Sequence, residues 1–351
     1  MKQMHQYNAD SIASIASSLP DPHIRIAAMG GGTGLSNLLQ GLKHRCFPAN
    51  KTILSAQDKE QLTAIVTVSD DGGSSSILRK AYSIMAPGDI RNCLLALSND
   101  KVTMKSLFDF RFNQQIDEHS LGNLILTALS QIENDFLKAI NKASEILEIQ
   151  GTVLPATTDN IAIRAEFDDG TSICGEHGIT AAGKRIKTIS LLPVTRIKTL
   201  PKVTEVLSDA DVIILGPGSL YTSIIPPLLV PGTADAIANS NAKVIMVMNL
   251  MTESGETDNY RPADFLAALR HHVPQISVHA VLINSTEIPA HLVARNQLDG
   301  ATPIPLDTDN FEDFKSKAVF RDLIGDQNHI CHDPEKLSNA VFDLAMSPLN
   351  Q

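Results

Sequence analysis

The chain predicts a three-layer α/β fold, a mostly parallel sheet covered by helices on both faces, and three observations carry that prediction. Near-continuous apolar runs recur at 24–29, 63–68, 212–215, 244–248 and 278–283, the pattern of strands buried on both faces. Helix-length segments such as 264–271 lie between most of them, the alternation expected of parallel strands. Several runs end in loops rich in glycine, hydroxyl and carboxylate residues, and parallel sheets bind ligands at those strand ends.

Composition bounds the function. The 351 residues suffice for one large domain or two. A net charge of −10 argues against a nucleic-acid polymer as partner, because phosphate backbones select a basic face. Cys46, Cys93, Cys174 and Cys331 are too scattered for a zinc ribbon or a disulfide framework and read as reduced thiols. No apolar run reaches the roughly 18 residues of a membrane span, and residues 1–10 are polar where a signal peptide is apolar. The expected location is cytoplasmic.

In chain order, residues 1–23 read as an N-terminal extension in which Asp10 caps a short helix over 11–16, closed by Pro20 and Pro22. Residues 24–348 read as a single domain. Within it, 146–192 differs: its strand candidates are shorter and more polar, and Asp168-Asp169-Gly170 after the run 161–167 is a hairpin signal. This stretch is expected to be a small antiparallel β insertion.

The first apolar run turns through Gly30-Gly31-Gly32-Thr33-Gly34 into a helix-like segment. Bare N–H groups at such a helix start favour an anion, which makes Gly31, Gly32, Thr33 and Gly34 candidate phosphate contacts. Leu35 stands where a dinucleotide loop has its third glycine, and Leu35-Ser36 breaks the Gly-Lys of an ATP-type loop. A tight turn packing strand against helix is the alternative.

After the second run comes Ser69-Asp70-Asp71-Gly72-Gly73-Ser74-Ser75-Ser76. Asp70, Gly72, Gly73 and Ser74 are candidate ligand contacts, although paired carboxylates repel phosphate unless a cation such as Mg²⁺, or Arg79, lies between. An exposed turn is the alternative. Pro87-Gly88-Asp89-Ile90-Arg91-Asn92 places a carboxylate, a guanidinium and an amide together, with Asp89 as a plain cap of a helix over 90–97 as the competing reading.

His119-Ser120-Leu121-Gly122-Asn123 lacks a nucleophile elbow, so Ser120 or Asn123 is expected to reach the cleft from a polar helix start while His119 is structural. Gly216-Pro217-Gly218-Ser219 with Thr222 repeats the strand–glycine–helix design, and Asn249 opens a polar segment through Thr257 after the next run.

As a set, GGGTGL at 30–35, TVSDDGGSSS at 67–76, PGDIRNCLLALS at 87–98, HSLGNLIL at 119–126, LGPGSLYTSIIP at 215–226 and NLMTESGETD at 249–258 resemble the bacterial gluconeogenesis factor family, which is related to the 2-phospho-L-lactate transferases of deazaflavin-coenzyme synthesis. The resemblance runs from about 24 to 340. It implies a Rossmann-like sheet.

The transferase relatives bind a nucleotide diphosphate and a divalent metal such as Mg²⁺, while the gluconeogenesis factors are associated with a UDP-sugar of the UDP-GlcNAc type, carbon metabolism and cell shape. No organic cofactor is implied, and the related transferases suggest a homodimer. Asp89 best matches the metal carboxylate, with Asp71 or Asp70 as a second. A metal-dependent transferase and a scaffold acting through protein partners remain alternatives. The sequence departs from the family at Ser76, Glu118, Pro227 and Cys331; the last replaces an arginine ahead of His332-Asp333-Pro334 and implies a weaker diphosphate contact unless Arg79 or Arg295 compensates.

Overall fold

The computed structural model describes residues 24–47, 54–99, 102–113, 119–194, 197–297, 300–309, 311–325 and 329–347. The helix expected over 11–16, Glu118 and the Arg295 side chain lie outside the described residues. Two sheets form. The larger contains β1 (Ile26–Gly30), β2 (Leu62–Val66), β3 (Thr152–Pro155), β7 (Val212–Leu215), β8 (Lys243–Val247), β9 (Ala280–Asn284) and β10 (Lys317–Arg321). The smaller contains β4 (Ala162–Phe167), β5 (Ser172–Cys174) and β6 (Ile186–Leu192).

The large sheet runs β10-β9-β8-β7-β1-β2-β3, with every neighbouring pair parallel. Every residue of β1, β2, β7 and β8 is buried, as the apolar runs require of strands covered on both faces. Sequence order reverses between β1 and β7, which pair from Ile26↔Val212 to Met29↔Leu215. Their carboxyl ends therefore flank a crevice.

Helices close the layers. From β1 the chain enters α1 (Gly32–Cys46) directly, and Leu35, Leu38, Leu39 and Leu42 supply its buried stripe. Next come α2 (Ala56–Lys59), α3 (Gly73–Tyr82), α4 (Pro87–Leu97), α5 (Val102–Asp109), α6 (Leu121–Glu133) and α7 (Phe136–Ile146). The rest are α8 (Glu176–Ala181), α9 (Pro201–Asp209), a π-helix (Leu220–Ile224), α10 (Ile225–Leu228), α11 (Thr233–Asn239), α12 (Pro262–His272), α13 (Ala290–Gln297), a 3-10 turn (Phe311–Phe314) and α14 (Pro334–Met346). A Cβ at Gly41 would collide with the Pro334 carbonyl, so glycine lets the start of α14 settle directly on α1. No described helix is long and apolar enough to cross a membrane.

The antiparallel sheet has the order β5-β4-β6, and the Asp168-Asp169-Gly170 turn joins β4 to β5 with Gly170 at φ +79°. Its start differs from the expectation of residue 146. Ile146 ends α7, and β3 pairs in parallel with β2 from Thr63↔Thr152 to Val66↔Pro155, so this stretch is the edge of the main sheet and the small sheet begins at Ala162.

Candidate functional site

The loops after β1 and β7 meet at the reversal of strand order. A Cβ on Gly34 would lie 2.5 Å from the Pro217 carbonyl oxygen, so this close approach needs glycine. Together with the loop after β8 and the segment before α14 they enclose a cleft of about 790 Å³. Of the expected contacts, Gly31, Gly32, Thr33, Gly34, Asp70, Asp89, Gly218, Ser219 and Asn249 line it.

Asp89 sits on the first glycine loop. The missing side chain of Gly31 leaves room for its carboxylate, which accepts the Gly32 N–H, one of the bare donors at the start of α1. The helix that contains Asp89 begins at Pro87 with Ala86 as its N-cap, so Asp89 caps α1 across the cleft rather than its own helix. A carboxylate thus occupies one of the amides expected to hold phosphate, while Thr33 and Gly34 remain on the cleft wall. Asp70 stands nearby, with its Oδ2 3.3 Å from where a Gly88 Cβ would be.

Burial and the Asp70 charge push the Asp89 carboxyl up to about 7. Glu176, at the start of α8, joins them in the cleft, and burial followed by the charges of Asp70 and Asp89 raises it to about 9. Glu253 also lines the cleft, accepts from Asn249 Nδ2 at 3.3 Å and is raised by burial. No lysine or arginine is among the described lining residues.

Several expected contacts lie elsewhere, for identifiable reasons. Asp71 accepts the His177 N–H at 3.1 Å, capping α8, so the carboxylate facing Asp89 is Asp70 and not Asp71. Arg79 donates to the carbonyls of Ser69 (3.0 Å), Asp70 (2.8 Å) and Ile161 and to Asn160 Oδ1 (2.7 Å); it braces the acidic loop against the small sheet and does not line the cleft.

Gly72 is the N-cap of α3, its N–H donating to Asp70 Oδ1 at 2.8 Å, and Gly73 is the first residue of that helix. Gly216 precedes the cis peptide of Pro217 behind the cleft wall. Gly218 donates its N–H to Asn249 Oδ1 at 3.2 Å, and Thr222, on the five-residue π-helix, donates to Glu256 Oε1. The loop after β8 therefore takes up both the Gly218 amide and the Thr222 hydroxyl.

Ser74, Arg91, Asn92, Ser120 and Asn123 come together in one buried network away from the lining residues. Asn123 Nδ2 donates to Ser74 Oγ at 3.1 Å, Ser74 Oγ is 2.7 Å from His119 Nδ1, and Arg91 donates to Ser120 Oγ and to Asn92 Oδ1. Ser120 is the N-cap of α6, accepting the Asn123 N–H at 3.3 Å. Sequence reading found the polar helix start; the partner of His119 lies 45 positions away and could not be read from spacing.

Residues that sequence reasoning missed are Asn37, Glu176 and the His329–His332 side of the cleft apart from Cys331. Glu176 follows a glycine in the insertion and carries no local signal. Burial lowers His332 to about 4. Ser76 and Pro227 are not among the lining residues, so of the described departures from the family only Cys331 faces the cleft.

The donor set suits a hard divalent cation: carboxylate oxygens of Asp70 and Asp89, made mutually unfavourable by proximity. Among the described residues no group of three or more histidine, cysteine or acidic side chains is arranged to hold a metal alone. Mg²⁺ commonly takes one or two carboxylates and completes its shell with water and substrate phosphates, so the pair fits it.

The family model described as 2-phospho-L-lactate transferase CofD matches residues 26–324. The gluconeogenesis factor of Bacillus subtilis (strain 168) is 40% identical over 323 residues, covering 91% of this chain and 98% of that protein. That of Listeria monocytogenes is 37% identical over 327 residues, covering 92% and 96%. A crystal structure of a UPF0052-family protein from Bacillus halodurans superposes with a TM-score of 0.83 at 39% identity, covering 91% of this chain and 99% of that one.

Proposed function

The chain belongs to the gluconeogenesis factor family, within the 2-phospho-L-lactate transferase CofD family, and on that premise we propose that it binds a nucleotide-sugar of the UDP-GlcNAc type as a Mg²⁺ complex and acts in carbon metabolism and cell-shape maintenance. One observation carries the reading: Asp70 and Asp89 share a cleft with the uncapped helix start at Thr33 and Gly34, and no lysine or arginine is among its described lining residues. A diphosphate can approach two carboxylates only with a cation between them. Asp70 and Asp89 would hold the metal, and Thr33 and Gly34 would donate to phosphate oxygens. The metal would neutralise the diphosphate and, in a transferase, polarise it.

Metal-dependent transfer is the second reading, favoured by the same carboxylate pair. The Ser74–His119 pair does not line the cleft and gives neither reading a nucleophile. Thermal unfolding with UDP-GlcNAc, UDP-glucose, GDP and GTP, with and without Mg²⁺, tests both. A ligand at 100 times its dissociation constant adds about 2.7 kcal/mol, and the uridine compounds are expected to stabilise only with Mg²⁺. Turnover lost in Asp89→Asn would favour transfer, and no shift with any nucleotide would overturn both in favour of a scaffold.

A further inference from the structure

The nucleotide cleft has unlike ends. Asp70 follows β2 and Leu250 follows β8, strands that lie on opposite sides of the β1–β7 pair. On the β8 side Leu250, Met251 and Ile330 line the cleft. Glu253, on that side, turns one oxygen to Asn249 and has the other sealed from solvent. On the β2 side the lining side chains are Asp70, Asp89 and Glu176, and the charges of both aspartates reach Glu176. Thr33 and Gly34, which follow β1, lie between the two ends.

Glu176 comes from the β insertion on α8, and that helix is clamped at both ends. Asp71 accepts the His177 N–H at 3.1 Å, and a Cβ on Gly255 would collide with the Thr180 carbonyl, so the loop after β8 packs directly on the helix. The Glu176 carboxyl has no hydrogen-bond or ion-pair partner among the described residues, and neither of its oxygens is sealed from solvent. It is not arranged with Asp70 and Asp89 as a three-carboxylate metal site. A positioned, accessible carboxyl without a partner is left for a ligand group that carries O–H or N–H.

We propose that Glu176 is a specificity-determining residue for the sugar of the nucleotide-sugar, its carboxyl hydrogen-bonding the sugar's hydroxyl groups while the nucleobase lies toward Leu250 and Met251. The inference rests on the nucleotide-sugar reading and adds the ligand's direction across the cleft. With the diphosphate at Thr33 and Gly34, its two substituents leave toward opposite ends. The flat face of a base suits the apolar end and a polyhydroxyl ring the acidic one. An ionised carboxyl accepts from a hydroxyl, and a neutral one both accepts and donates, so the contact forms in either protonation state.

Calorimetric titration of the full chain with UDP and with UDP-GlcNAc, both with Mg²⁺, tests the proposal. The wild type is expected to bind UDP-GlcNAc about tenfold more tightly than UDP, the increment of one hydrogen bond to a charged group. Glu176→Ala is expected to bind UDP as the wild type does and to lose the increment, and UDP binding shows that the variant is folded. Glu176→Gln, which keeps one acceptor, is expected to retain part of it. Should Glu176→Ala not fold, that partial loss carries the test. An increment undiminished in the folded variant, or UDP and UDP-GlcNAc weakened equally, would overturn the proposal while leaving the nucleotide-sugar reading in place. Wild-type protein that binds UDP with no increment for the sugar would also overturn it, and binding of neither compound would overturn that reading and the proposal together.

Discussion

Asp71 accepts the backbone N–H of His177 at 3.1 Å, fastening the β insertion to the acidic loop across 106 positions of sequence. Gly175, at φ +93°, precedes α8 and leaves space for that carboxylate where a Cβ would collide with it. The contact holds the first turn of α8, and with it Glu176, over the cleft.

Asp71→Ala is therefore expected to destabilise the protein by about 1 kcal/mol, the usual cost of a lost helix cap. Asp71→Asn keeps an acceptor and is expected to recover most of the loss. Urea unfolding midpoints at one pH decide this; equal midpoints for Ala and wild type would show that the bond contributes nothing.

The raised carboxyls give apo stability a direction with pH. Asp89 titrates near 7 when folded against 3.8 unfolded, so its neutral form favours the fold below about pH 4 and that contribution is lost as pH rises through 7. Asp89→Asn removes the penalty. In EDTA, the variant is expected to gain on the wild type by roughly 1–2 kcal/mol between pH 5 and pH 8, discounted from the full shift for partial solvation. Urea unfolding at both pH values checks this, and a gap that does not widen contradicts the assignment. Mg²⁺ is expected to stabilise the wild type more at pH 8 than at pH 6, because the ion needs the ionised carboxylate.

The sheet was legible because β1, β2, β7, β8 and β9 are buried almost throughout, and burial writes itself as apolar runs. β10 has only Val319 fully buried, and β3 lies at the other edge beside a polar insertion. Neither edge strand carries a run long enough to stand out. The glycine loops were legible for a similar reason, since their conformations and close approach exclude side chains. What spacing could not supply was which carboxylate faces which, because Asp70 and Asp71 differ by one position and point to opposite tasks. Glu176 and the Ser74–His119 pair come from segments distant in sequence, and a single chain contains no record of such pairings.

Gly34→Ala tests the meeting of the two glycine loops. The new methyl would lie 2.5 Å from the Pro217 carbonyl oxygen and 2.8 Å from its carbon, backbone atoms with little freedom to yield. A loss of about 1–3 kcal/mol is expected from overpacking, together with weaker nucleotide binding as the loops separate. Gly32→Ala meets nothing within 4 Å but sits at φ +66°. It is expected to lose about 1 kcal/mol through backbone strain alone. Thermal unfolding that ranks Gly32→Ala as the more damaging change would contradict the packing account.

Cys331 is the described departure from the family that faces the cleft, and its neighbour His332 is buried and neutral at physiological pH. Among the described residues lining the cleft, neither Cys331 nor His332 thus offers a positive charge to a second phosphate. Cys331→Arg would place a guanidinium there, and a hydrogen bond to a charged group is worth about 1.5–3 kcal/mol. Tightening of UDP-GlcNAc binding by roughly tenfold or more in the presence of Mg²⁺ is expected, since 1.4 kcal/mol is a factor of ten. The gain is expected to shrink at high salt, as a charge contact at an open cleft must. Calorimetric titration of both proteins at low and high ionic strength gives the answer, and unchanged affinity would mean that the diphosphate does not reach the Cys331 wall.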